Sequence, residues 1–141
     1  FAIANTTLTF EELLARDKPK LSLKSGNAKA LLHGHCHQKA FDAVRPIEEV
    51  LSWIDGMAVE KIETSCCGMA GAFGYGADTF DVSMKMANAA LLPKIRDSAS
   101  DTVIIADGTS CRCQIKDGTA REAKHVAIIL DEWIKATDND K

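Results

Sequence analysis

The stretch Thr102-Val103-Ile104-Ile105-Ala106 constrains the fold of this chain more than any other. A strand with one face in water alternates polar and apolar residues, so a run without alternation reads as a strand covered on both faces. Two further apolar runs, Ala28 to Leu32 and Ala58 to Ile62, read as strands of the same sheet. Helical patterns lie between them. Pro46 stands at a helix start, with apolar residues at helical spacing through Ile54. Asp78 to Leu92 places Phe80, Met84, Ala87 and Leu91 on one face, and Pro93 is expected to end or kink that helix. Val126 to Ile134 gives a terminal amphipathic helix. Alternating strands and helices predict an α/β fold in three layers: a small, mostly parallel sheet of 3–4 strands flanked by helices, with right-handed crossovers.

Residues 1–28 form a lead-in. Within it Thr9 is placed to N-cap a short helix and Glu12 to close a capping box. Residues 29–136 form the main domain, and 137–141 a frayed tail. The chain has 141 residues, enough for one well-formed core, with 46% hydrophobic and 26% charged residues and a net charge of −3. No Lys/Arg stripe is present, which argues against nucleic acid as a partner. No apolar stretch approaches the roughly 20 residues of a membrane span. A start at Phe1 suggests a piece of a longer polypeptide. An odd cysteine count with an adjacent pair fits a reduced, cytoplasmic setting better than a disulfide framework.

The cysteines carry the chemistry. Cys36, the pair Cys66 and Cys67, and Cys111 each follow a predicted strand end, where parallel sheets gather ligands. Thiolate sulfur is a soft donor suited to iron–sulfur clusters and zinc. The wide spacing matches neither a zinc ribbon nor a bacterial ferredoxin run. An adjacent pair serves a polynuclear cluster more readily than one small zinc ion. A lone cysteine more often only fills core space, and Cys113 can be read either way.

His33, His35 and His37 would share one face of an extended segment, with Cys36 on the other, unless the chain turns after Gly34. Each of His33, His35 and His37 is a secondary ligand candidate, His37 and His35 foremost, with hydrogen bonding around the ligands as the expected role. His125, opening the last helix, reads as structural. Gly68 and Gly71 suit close backbone approach to a cluster; with Gly74 and Gly76 they form no phosphate-loop spacing. No nucleophile elbow or metalloprotease motif occurs, and a Cys36–histidine nucleophile would leave Cys66, Cys67 and Gly68 unexplained.

At these residues the chain resembles the cysteine-rich CCG domain of iron–sulfur oxidoreductases. The resemblance rests on His35-Cys36-His37, Cys66-Cys67-Gly68 and Gly108-Thr109-Ser110-Cys111, and extends over most of 29–134. It is nearest to the C-terminal region of large FAD-linked oxidases of the D-lactate dehydrogenase type. The resemblance implies an electron-transfer domain of a larger FAD-linked oxidoreductase acting on a 2-hydroxy acid such as lactate or glycolate. It implies an iron–sulfur cluster of 4Fe–4S type on Cys36, Cys66, Cys67 and Cys111, with zinc in a structural or docking domain as the alternative. FAD would belong to the parent protein and not to this fragment, which would not turn over substrate alone. Implied partners are a flavin domain of the same polypeptide and other iron–sulfur centres, at the inner face of the membrane if the partners sit there. Two departures stand out. Gly108 replaces the first Cys of the family's Cys-x-x-Cys, and Cys113 lies off the pattern.

Overall fold

The computed structural model describes residues 3, 6–64 and 66–135; the expected frayed tail at 137–141 lies outside them. The elements in order are α1 (Phe10–Asp17), β1 (Ala28–His33), α2 (Cys36–Ala40), α3 (Val44–Leu51), β2 (Met57–Lys61), a 3-10 turn (Phe73–Tyr75), α4 (Phe80–Ala89), α5 (Leu91–Arg96), β3 (Val103–Ala106), α6 (Thr109–Thr119), β4 (Ala123–Lys124) and α7 (Val126–Trp133). One four-stranded sheet has the order β2-β1-β3-β4, and every pairing is parallel. The α/β expectation holds.

The alternation of side chains along each strand splits the core in two. Ala30, Leu32 and Ile105 face one side, where Val44, Ile47, Val50 and Leu51 of α3 and Val126, Ile129 and Leu130 of α7 cover them. Leu31, Ile104 and Ala106 face the other, under Ala87 of α4, Leu91, Leu92 and Ile95 of α5, and Ile115 of α6. Both central strands are therefore buried on their two faces. The lead-in packs on the first of these layers through Leu14, Ala15 and Leu23. Its segment after α1 runs back along the chain end, where Lys24 N donates to Trp133 O at 2.7 Å and Lys135 N to Ser22 O at 2.8 Å.

The Thr9 capping box forms as expected, with Glu12 N donating to Thr9 Oγ1 and Thr9 N to Glu12 Oε2. Two proline expectations need correction. Helix α3 begins at Val44, so Pro46 is its third residue and not its first. The predicted 78–92 helix breaks at Ala90 (φ −154°), and Pro93 is the third residue of the next helix. Both follow from one fact: the first four N–H groups of a helix have no intrahelical acceptor, so proline forfeits no helical hydrogen bond in that turn.

Helix α6 leaves little apolar signal in the sequence. Its buried stripe is Cys111, Gln114 and Ile115, spaced as a helix requires but with one strong apolar residue of three. Strand β4, two residues long, is too short to leave a pattern.

Candidate metal centre

The carboxyl ends of β1 and β3, with the loop after β2, converge on one side of the sheet. The sequence predicts the cysteines in three loops, but only Cys66 and Cys67 lie in one. Cys36 is the first residue of α2, and Cys111 the third of α6. The chain does turn after Gly34: His35 N-caps α2, its ring accepting from His37 N at 3.3 Å while Gln38 Oε1 accepts from His35 N at 2.9 Å. The extended arrangement of three histidines on one face is thereby removed.

The loop carrying Cys66 and Cys67 is held from below. Gly68 has φ +90°, and a Cβ there would stand 2.2 Å from Ser83 O. Gln114 Nε2 donates to both Cys67 O and Ser83 Oγ at 3.0 Å, joining the loop to α4 and α6. Gly68 N points at Cys66 Sγ, 3.3 Å away. This N–H stands where an anionic sulfur is stabilised.

Cys111 Sγ lies 3.3 Å from Cys67 Sγ, and both side chains are buried. The two behave as one titrating pair. The hydrogen bond from the Cys111 thiol is the main cause that brings Cys67 down to about 4; burial opposes it, and the neighbouring His33 and the Met69 backbone N–H reinforce it. The adjacent Cys67 thiolate, then burial, push Cys111 far above the ordinary thiol range. Cys36 meets the Cys66 thiol, and burial followed by that contact raises it. The four cysteines thus form an inner buried pair, Cys67 with Cys111, and an outer pair, Cys36 with Cys66.

His33, the last residue of β1, joins the inner pair. One ligand atom each from His33, Cys67 and Cys111 lie within 4.8 Å of one another, a spacing that could hold a metal ion. His33 is 1% exposed, and neither ring nitrogen has a hydrogen-bond partner of normal geometry among the described residues. Soft sulfur with imidazole nitrogen is a donor set for zinc, iron or copper. Nothing in the sequence raises His33 above its neighbours as a ligand except its position at a strand end, on the same face as Leu31.

The other candidates fall elsewhere. His35 borders the site at Gly108, where a Cβ would meet its Cδ2 at 2.5 Å and Cys111 Sγ at 3.0 Å. His37 is exposed and stacks edge-on against His35 and Phe41. Cys113, two helical residues past Cys111, faces away and meets the Tyr75 hydroxyl. Gly71 has φ +69° with open space around it.

Glu11, Asp107 and His125 form a second cluster, their ligand atoms within 4.8 Å of one another. Asp107 Oδ1 accepts from Val126 N and Oδ2 from Gln38 Nε2, each at 2.9 Å, so this carboxylate ties α7 to the cysteine-bearing α2. His125 N-caps α7, its Nδ1 accepting from Ala127 N at 3.1 Å, in keeping with a structural role.

Comparison with known proteins bears on the site as a whole. The chain is 27% identical over 110 residues to one component of the anaerobic glycerol-3-phosphate dehydrogenase of Escherichia coli (strain K12), covering 78% of this chain and 27% of that component. It is 30% identical over 104 residues to D-2-hydroxyglutarate dehydrogenase of Pseudomonas putida, covering 72% of this chain and 10% of that enzyme. The chain is a homologue of both. The resemblance to the CCG domain stands with them. The chain spans about a quarter of the first relative's length and a tenth of the other's. No family model and no solved structure matches it.

Proposed function

We propose that this domain is an iron–sulfur electron-transfer module of a flavin-linked oxidoreductase, with Cys36, Cys66, Cys67 and Cys111 as cluster ligands. The observation that carries this reading is the convergence of those four cysteines, from three stretches distant in sequence, on one end of the sheet, with two sulfurs already 3.3 Å apart. When bound, an iron–sulfur cluster would accept and pass on single electrons. The chain's own residues prepare the site. The 68–69 backbone N–H groups face sulfur, and the cysteine pair holds one proton that metal binding would release. The second core layer keeps water from the inner sulfurs.

The parent protein would oxidise a 2-hydroxy acid such as lactate or glycolate at a flavin domain, and further iron–sulfur centres would take the electrons. In this reading it works in the cytoplasm, or at the inner face of the membrane through partners. Among the described residues no helix is long and apolar enough to cross a membrane.

Anaerobic reconstitution tests the reading. Brown protein with iron and sulfide in stoichiometric amounts is expected, and Cys67→Ser should lose most of both. Colourless, iron-free protein after reconstitution would exclude it. A structural zinc site is the second reading, favoured by the compactness of the His33, Cys67 and Cys111 donors. It predicts tightly bound zinc and no visible absorbance.

A further inference from the structure

We infer that His33 is itself a metal ligand, so that the centre has a mixed nitrogen–sulfur donor set in place of an all-thiolate one. The inference rests on the proposed reading only in that a metal binds here; it holds for a cluster or a single ion.

Three observations lead to it. First, His33 is 1% exposed, yet both ring nitrogens lack a hydrogen-bond partner of normal geometry among the described residues. A buried imidazole with the inner sulfurs beside it but no well-formed hydrogen bond is costly, and a leucine would be cheaper at that position. The cost is offset when a metal takes one nitrogen. Second, the ring is aimed by the strand. His33 ends β1 on the face of Leu31, pairs in register with the small Ala106, and meets Cys67 and Cys111 within 4.8 Å. Third, residue 108 offers no donor: its Cβ position would already touch Cys111 Sγ at 3.0 Å, and the His35 ring fills the space beside it. Among the described residues, the donor that groups with both inner sulfurs within 4.8 Å is the buried imidazole.

An imidazole from His33, standing in for the thiolate that Gly108 does not supply, makes the ligand shell one charge less negative than five thiolates would. That favours the reduced state of a bound cluster, as the high potentials of clusters with histidine ligands show. His33 would then set the potential of the centre as well as hold it.

The test is pulsed EPR on the reduced, iron-loaded chain, prepared with natural-abundance and with 15N-imidazole histidine. A directly bound nitrogen gives a strong hyperfine coupling that changes with the isotope. It should persist in His35→Ala and His37→Ala and vanish in His33→Cys. That variant should keep its iron and show a lower midpoint potential. Iron and sulfide bound without such a coupling would overturn the inference and leave the proposed function standing. If the chain takes up cobalt(II) but no sulfide, the same measurement on the cobalt form applies. A coupling lost in His33→Cys would then support the inference while the iron–sulfur reading fails. Because absence of the coupling in the wild type overturns the inference, the test survives a His33→Cys variant that does not fold.

Discussion

Glu11 shows how one residue can work against the fold that buries it. It is 3% exposed, its Oε1 has no hydrogen-bond partner among the described residues, and the His125 Nε2 that faces it is 3.9 Å away. Burial is the main cause raising its pKa, and the Asp107 carboxylate adds to it. A carboxyl whose pKa is higher folded than unfolded favours the folded state only when protonated. Its contribution is complete below the unfolded value and is lost as pH rises through the folded one. Glu11→Gln is therefore expected to stabilise the chain at pH 7 by about 1 kcal/mol. The variant should also lack the gain in stability that protonation of Glu11 is expected to give the wild type on moderate acidification. Urea melts at pH 7 and pH 5 measure both; equal stability of the two proteins at pH 7 would contradict the reading. The sequence places Glu11 in the exposed-looking first turn of a capped helix, and nothing in it announces burial. Only the docking of α1 beside the end of β3 decides that.

Among the elements, local chemistry and tertiary contact divide the work. The α1 capping box is legible in Thr9 and Glu12 because both partners lie within one turn. Thr9→Ala should cost about 1 kcal/mol in a denaturant melt. The loop carrying Cys66 and Cys67 depends on contacts the sequence does not display. Gly68→Ala would combine a left-handed backbone with a Cβ pressed onto the Ser83 carbonyl, and a loss of about 2–3 kcal/mol is expected. Metal content should fall with it, since the same loop aims both thiols. An alanine variant with unchanged melting temperature and metal content would show that the loop is not held as described. Helix α6 hides from the hydrophobic pattern because two of its core-facing residues are Cys111, a proposed ligand, and the bracing Gln114. Polar and sulfur-bearing side chains occupy positions where apolar ones would have advertised a helix.

Across the whole molecule, β1 and β3 carry both core layers, so their substitutions should be felt on both sides of the sheet. Ile105→Ala, fully buried between α3 and α7, should cost about 2–5 kcal/mol. Metal loading should act in the opposite direction. The centre joins the end of β1, the loop after β2, and α6, so ligand binding to the native state alone raises the melting temperature. A chelator should reverse the gain, as calorimetry of apo and loaded protein would show; identical melts would mean that the site does not bridge these elements.

The parallel α/β architecture is written in the chain itself, because short apolar runs without alternation, separated by helical patterns, call for strands covered on both faces. So is the short list of four cysteines, since each comes just beyond a strand and their order matches a known pattern. How those cysteines pair, Cys67 with Cys111 and Cys36 with Cys66, emerges only from packing. Packing also turns Cys113 and His37 away and brings in His33. The difference is one of range. Strand periodicity and capping are set by neighbours within a few residues, whereas a sulfur–sulfur distance across 44 positions depends on how a helix and a loop pack on one sheet.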